Sequence, residues 1–380
     1  MLTSREPGAR PWRSTRALAA ALLLGLVLLV AGLPGQAVAA SARGPWAGLG
    51  PGPGTAVTAP PSGTWRLMVS GDSITRGVNG DTTWRQRLWE EFGRQGVPLR
   101  LVGPLSGPNG RGHSAYFANA RFAAADHHHA VPGARLDTLG PGVGKVVAKD
   151  KPDVLHVMLG ANDLRRGASP ARAEALMRTY LSNALRARPR LKVLVSPVLP
   201  SLTYPGGQPR DFDVPEANAR FATLVRKLSS SGYDAHWVDP AAADFSPRDH
   251  TYDGVHLDPT GERLFAHRVA AALHADGVLP GEPVLPTDPT PWVTQARAGV
   301  TTSPGTAVLS WATWDRRLTT DRMLLQVVGP TPSDVRRVTG GYQSTSKLLQ
   351  LAPGSYTVTL EPVRKWMVGT PGPATAFTVP

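Results

Sequence analysis

The 380-residue sequence contains no cysteine. Disulfides, zinc–thiolate sites, iron–sulfur clusters and a cysteine nucleophile are therefore excluded together. Acidic residues are few: 28 Asp+Glu stand against 41 Lys+Arg, giving a formal charge of +13. The basic excess is mostly arginine, is spread along the chain, and never forms a block of five or six. A concentrated patch would point to nucleic acid; a dispersed excess suits solubility and polyanionic surfaces, so no nucleic-acid partner is expected. Charged residues make up 18%, too few for a disordered polyelectrolyte, while 41% hydrophobic content suits globular domains with cores of their own.

Long apolar runs are scarce too. The one of note is 17–33 (ALAAALLLGLVLLVAGL), preceded by Arg5, Arg10, Arg13 and Arg16 and followed by Pro34-Gly35 and the small-x-small Ala37-Val38-Ala39. This three-part layout predicts a signal peptide over 1–39 and a secreted protein with no stable membrane insertion after cleavage. The alternative is an anchor left uncleaved, since about 17 apolar residues just span a bilayer. The arginine-rich, lysine-poor composition points to a bacterial source.

Residues 40–63 are rich in Gly, Pro and Ala and read as a linker with no fold of its own; 281–291 (GEPVLPTDPTP) read as a second linker. Between them, over 64–280, strand-length apolar runs (66–70, 99–103, 154–159, 193–196, 235–238) alternate with helix-period segments (82–95, 169–187, 215–230, 260–274). A further helix is expected from about Leu136. The alternation predicts an α/β domain, a parallel sheet covered on both faces, whose site lies beyond the carboxyl ends of the strands. Residues 104–132 read as a long loop. Over 292–380 only short strands separated by turn residues appear (307–311, 323–328, 347–351, 356–360, 375–379), which predicts a β-sandwich.

Three motifs follow predicted strands or precede the last helix. Gly71-Asp72-Ser73-Ile74-Thr75 leaves a hydroxyl exposed where the chain turns off a strand. Gly160-Ala161-Asn162-Asp163 offers a side-chain amide that can donate to an anionic oxygen. Asp253-Gly254-Val255-His256-Leu257 places a carboxylate where it can fold back on an imidazole and fix its tautomer, freeing the other nitrogen as a base. Each alone is equally an ordinary turn or cap.

Together and in this order, the motifs resemble the SGNH/GDSL hydrolase superfamily over roughly 64–280. The resemblance implies a flavodoxin-like three-layer α/β/α domain and a carboxylic ester hydrolase without metal or cofactor. Ser73 would be the nucleophile, with His256 as base and Asp253 orienting it. The oxyanion hole would comprise the Ser73 N–H, the Asn162 amide and the N–H of a glycine best matched by Gly133 in Val131-Pro132-Gly133-Ala134. GDSITRG, WRQRLWEEF and LVGPLSG resemble the carbohydrate-esterase branch, which implies short-acyl (acetyl) esters of polysaccharide. Trp84, Tyr116 and Phe117 are candidate sugar-stacking rings. A lipase or aryl esterase with the same triad is the alternative. His127-His128-His129 do not read as a metal site, because consecutive side chains point in different directions.

In the C-terminal region, Leu351-Ala352-Pro353-Gly354-Ser355-Tyr356 resembles the turn entering a late strand of fibronectin type III domains, one residue shorter than the usual form, with Trp311 as the core tryptophan. Glycan or cell-wall contact through this sandwich, with Trp314 or Trp366, is the expectation of a different class, in which the hydrolase domain would be degenerate.

Overall fold

In the N-terminal part of the described chain, strands and helices alternate as β1 (Trp65–Gly71), α1 (Ser73–Arg76), α2 (Trp84–Arg94), β2 (Leu99–Leu101), β3 (Leu105–Ser106), α3 (Ala120–Ala125), β4 (His127–Ala130), α4 (Leu136–Asp150), β5 (Val154–Met158), α5 (Ala161–Arg165), α6 (Pro170–Ala187), β6 (Lys192–Val195), α7 (Val214–Ser230), β7 (Ala235–Trp237), α8 (Pro247–His250) and α9 (Pro259–Ala275). The computed structural model describes residues 46, 49, 51–54, 59–60, 62–77, 82–107, 120–202, 213–238, 245–287, 297–311, 322–331, 335–341 and 346–380. The expected signal segment 1–39 lies outside them. Among the described residues, no helix is long and apolar enough to cross a membrane.

The sheet runs β3-β4-β1-β5-β6-β7, with β2 also on β1. All pairings are parallel except β3–β4, so the sheet is mixed at one edge rather than wholly parallel. Apolar residues of α4, α6 and α7, among them Val143, Tyr180, Leu181 and Phe221, pack on one face. On the other, α2 and α9 contribute Trp84, Leu88, Phe92, Phe265 and Val269. Each such large side chain, fully buried, contributes roughly 1.5–3 kcal/mol. The result is the expected three-layer α/β/α architecture.

Local chemistry sets the helix boundaries. Ser169 caps α6 by accepting from Arg172 N (3.2 Å), and Pro170 occupies its first turn, where a missing N–H costs nothing. Glu262 of α9 accepts from Trp84 N (2.6 Å), tying the start of α2 to its packing partner.

Two expectations need correction. The 104–132 stretch is not one loop: β3, α3 and β4 lie within it. The described part of 40–63 also has a fold. Trp46 is buried in the core cluster that includes residues of α4, α6 and α7, and the Gly52 and Gly54 N–H groups donate to Ser231 O (2.8 Å) and Gly232 O (3.0 Å). A Cβ on Gly52 would lie 2.2 Å from the Gly232 carbonyl carbon, so only glycine fits that approach.

The C-terminal domain is a β-sandwich of β8 (Gly299–Ser303), β9 (Thr306–Ser310), β10 (Arg322–Val328), β11 (Val335–Gly341), β12 (Ser346–Gln350), β13 (Gly354–Arg364), β14 (Met367–Val368) and β15 (Thr375–Val379). One sheet is β12-β9-β8; the other is β11-β10-β13-β14, with β15 also on β13. Leu309, Leu325, Val327, Val358, Leu360 and Trp311 close its core.

Candidate active site

The first motif leaves β1 at Gly71. A Cβ there would sit 2.0 Å from Thr75 Oγ1 and 2.8 Å from Met158 O, so the turn requires glycine. Asp72 caps α1 by accepting from Ile74 N through Oδ1 (2.9 Å). Ser73 follows as the first helical residue, half-buried.

The third motif forms a tight loop between α8 and α9. Thr251 and Leu257 bridge its base, and Tyr252 N donates to His256 O (3.0 Å). Gly254 sits at its tip with φ +85°, donating to Thr251 Oγ1 (2.8 Å), while its carbonyl accepts from Leu202 N (2.8 Å). Asp258 anchors the exit by capping α9 at Thr260 N and Gly261 N. Within this frame Asp253 Oδ1 accepts from the Val255 and His256 N–H groups (3.0 and 2.8 Å).

The two motifs meet. His256 Nε2 lies 2.9 Å from Ser73 Oγ, and Nδ1 lies 2.8 Å from Asp253 Oδ2. This line is satisfied when Nδ1–H donates to Asp253 and Nε2 accepts the serine hydroxyl proton. Burial would raise the Asp253 carboxyl, but the bond to the His256 ring, its charge, and the two backbone N–H groups together hold it below its usual value. Asp253 therefore remains the acceptor that fixes the ring.

The second motif enters from the neighbouring strand. The parallel strands β1 and β5 leave the sheet side by side at the point where strand order reverses, so α1 and α5 start beside each other. Gly160 adopts φ +121°, and α5 presents Asn162, 9% exposed. The Asn162 amide donates to Asp72 Oδ2 (3.0 Å) and Ala134 O (3.1 Å). To serve an oxyanion as well, it must share one of these hydrogens. Asp163 accepts from Leu136 N (3.0 Å) at the start of α4. Gly133 lies in the turn before that helix at φ +70°, exposed, and the turn is tied to β1 by Val131 N donating to Gly71 O (3.1 Å). Ser73, His256 and Asp253 are thus joined directly, and Asn162 reaches the same strand end through Asp72. The turn that carries Gly133 is joined to them through Val131, on Gly71 O, and Ala134, on the Asn162 amide.

Two participants were missed from sequence. Asp72 read only as part of a turn; its second carboxylate oxygen holds Asn162. Burial pushes its pKa up to about 6, against the lowering effects of the Ile74 N–H and the charges of His256 and Arg165. Tyr252 stacks on His256, with ring centroids 5.7 Å apart and planes 13° from parallel. No periodicity marks either role.

A recess of about 300 Å³, counted out to open solvent, adjoins this line. Ile74, Ala161 and Val255, each next to a motif residue, form its wall with Leu199, Val214 and Arg165.

Trp84 is not available for stacking on a sugar: it is 0% exposed, with its ring 5.1 Å from His156 and 5.0 Å from Phe265. Tyr116, Phe117 and Trp314 lie outside the described residues. Trp366 is 41% exposed and donates from Nε1 to Thr251 O (2.8 Å). The three consecutive histidines form β4. His128 is buried with Nε2 on Gly107 O (3.0 Å), its pKa pushed by burial down to about 3; His129 Nδ1 lies 3.0 Å from Ser70 Oγ.

Among solved structures, the fold is similar to a Clostridium thermocellum family 3 carbohydrate esterase (18% identity, TM-score 0.46, covering 57% of this chain and 100% of that one). It is also similar to a carbohydrate esterase family 3 protein from Talaromyces cellulolyticus (22%, 0.46, 56% and 97%) and to a GDSL-like lipase from Bacteroides thetaiotaomicron (14%, 0.39, 58% and 92%). Comparison with curated proteins returns no significant match. The GDSL-like Lipase/Acylhydrolase family profile matches residues 69–264, which contain all three motifs. With more than half of its 380 residues inside that match, the chain belongs to the GDSL-like lipase/acylhydrolase family and is a carboxylic ester hydrolase.

Proposed function

We propose that this protein is a secreted serine esterase acting on short-acyl esters, above all acetyl esters of polysaccharide. The observation that carries the reading is the Ser73–His256–Asp253 line, at 2.9 and 2.8 Å, opening beside a small recess walled by Ile74, Ala161 and Val255.

In this reading His256 Nε2 takes the Ser73 proton as Oγ attacks the ester carbonyl, and Asp253 steadies the imidazolium that forms. The Ser73 and Gly133 N–H groups and the Asn162 amide receive the oxyanion. His256 then protonates the leaving alcohol, and water, activated by the same nitrogen, releases the acid from Ser73. Asn162→Ala is expected to lower kcat by roughly 10²–10³-fold, the usual effect of losing one oxyanion donor. A variant with lowered thermal stability and unchanged kcat would reduce Asn162 to a brace between Asp72 and Ala134.

The recess walled by Ile74, Ala161 and Val255 is the candidate acyl site in this reading. For the alcohol side, exposed Trp366 at the edge of the Asp253–His256 loop supplies a flat apolar face of the kind sugars stack on. Hydrolysis of p-nitrophenyl esters from acetate to long chains, with acetylated xylan alongside, tests the substrate class. The expected result is acetate release from xylan and kcat/KM falling steeply with chain length. Rates that rise toward long chains would make the protein a lipase with the same triad.

The export reading rests on the residues 1–39 pattern. A fibronectin type III-like identity for the C-terminal domain is supported by its two antiparallel sheets, of three and five strands, and by Tyr356 OH donating back to Ala352 O (2.8 Å), the bond of a tyrosine corner. The same domain is the candidate for glycan or wall contact. A purely binding role beside a degenerate hydrolase is disfavoured, because every position of the line is filled by a group able to act.

A further inference from the structure

The β13–β14 hairpin of the sandwich turns through Lys365 and Trp366. Lys365 adopts φ +50°, a left-handed conformation disfavoured for a residue with a side chain. The hairpin is held against the loop that carries Asp253 and His256. Trp366 Nε1–H donates to Thr251 O at 2.8 Å, and its ring lies 3.3 Å from where a Cβ on Gly254 would stand. Arg364, only 5% exposed, donates to the Tyr252 hydroxyl. Its guanidinium carbon also sits 3.4 Å from the centroid of the Tyr252 ring, within cation–π range. The same ring stacks on His256. Arg364, Tyr252 and His256 therefore form a continuous packed series from the second domain to the imidazole.

We propose that Arg364 is a positioning residue for His256: acting through Tyr252, the C-terminal sandwich holds the imidazole between Ser73 and Asp253 and is a working part of the active site rather than a tether. The inference rests on the reading of His256 as the catalytic base. Its physical basis is that a ring with one hydrogen bond at each nitrogen is still free to rock about the line joining them, and a stacked neighbour removes that freedom. A displacement near 1 Å at a catalytic group can lower turnover by about a hundredfold.

The test uses the full-length protein and p-nitrophenyl acetate, too small to need the sandwich for binding. Arg364→Met is expected to lower kcat about ten- to thirtyfold with KM within about twofold, and Arg364→Lys, which keeps the cation, to recover part of the loss. Tyr252→Leu should cost a similar factor, and adding Arg364→Met to it should cost little more, because the two act in series. A kcat for Arg364→Met within twofold of the parent overturns the proposal. So does an Arg364→Met effect that persists in full when Tyr252 is already leucine. Should Arg364→Met fail to fold, Trp366→Phe decides, since it removes the hairpin's Nε1–H donation to Thr251 and the indole edge against Gly254 while leaving Arg364 and Tyr252 in place. A fivefold or greater fall in kcat at constant KM then supports the proposal, and parental kcat overturns it. Ser73→Ala, run in parallel, separates the two levels: turnover retained there removes the triad reading itself, whereas an inactive Ser73→Ala with unaffected Arg364 and Trp366 variants removes only the role of the hairpin.

Discussion

Replacing Ser73 by alanine is expected to lower ester turnover by about 10⁴- to 10⁶-fold while leaving the unfolding transition where it was. The size follows from how the line works. Under the proposed mechanism, loss of Oγ removes the acyl-enzyme and leaves His256 no proton to take; what remains is whatever water attack the oxyanion donors support. The unchanged stability follows from position: Ser73 is half-buried, its backbone stays in α1, and the Asp72 cap on Ile74 N does not involve its side chain. Adding His256→Ala to Ser73→Ala should cost little further, because the two act as one unit. Both outcomes are read from p-nitrophenyl acetate hydrolysis together with a urea midpoint. A Ser73→Ala protein within tenfold of the parent would remove Ser73 from the chemistry.

The second large effect concerns stability in acid. His156 lies at the centre of β5, fully buried between Trp84 and Phe265, with Nε2 2.7 Å from Ser196 Oγ. Burial pushes its pKa down to about 3. Unfolded, it binds a proton near its ordinary value of about 6.5. Between these values the unfolded chain holds more protons than the native one, so stability is intact above about pH 6.5 and falls as pH drops toward 3, by at most roughly 4–5 kcal/mol. His128, also driven down to about 3, adds to the fall with the same sign. Asp72 opposes it: with its native pKa near 6, the folded state takes up that proton first, which offsets part of the loss between about pH 6 and 4.

Because the terms overlap, the comparison of variants is the informative measurement. His156→Gln keeps a partner for Ser196 and cannot titrate. Its urea stability should decline between pH 7 and 4 by about 3 kcal/mol less than that of the parent. Parallel profiles would show that His156 is protonated in the native state without penalty.

Much of this molecule is legible in its sequence where the signal is local. Gly71-Asp72-Ser73 and Asp253–His256 state their geometry in three or four residues, and Ser169-Pro170 marks a helix start by its own capping chemistry. The rest depends on partners far along the chain. Trp84 shows why an aromatic on an amphipathic face is ambiguous: the face that might have met a sugar instead meets Phe265 of α9. The β3, α3 and β4 elements were not visible because the 104–132 stretch is broken by Gly and Pro, and three histidines carry no apolar alternation. Strand β8 (Gly299–Ser303, GVTTS) is too polar to stand out. Trp46 is buried by docking a segment whose composition says linker. Arg364, Tyr252 and Asp72 owe their places to tertiary contacts that leave no trace in spacing.

The hydrogen bond between Ser73 and His256 spans 183 residues, and that between Trp366 and Thr251 spans 115. A site closed by such distant partners is among the last things a chain of this kind completes, since long-range pairing carries the largest loop-closure cost and comes slowly. Ser73 leaves the ribosome long before His256, and the β13–β14 hairpin leaves later still. Ester turnover regained during refolding is therefore a clock for the whole chain, lagging the return of helical signal, and an intermediate that has built its sheet has not yet become an enzyme.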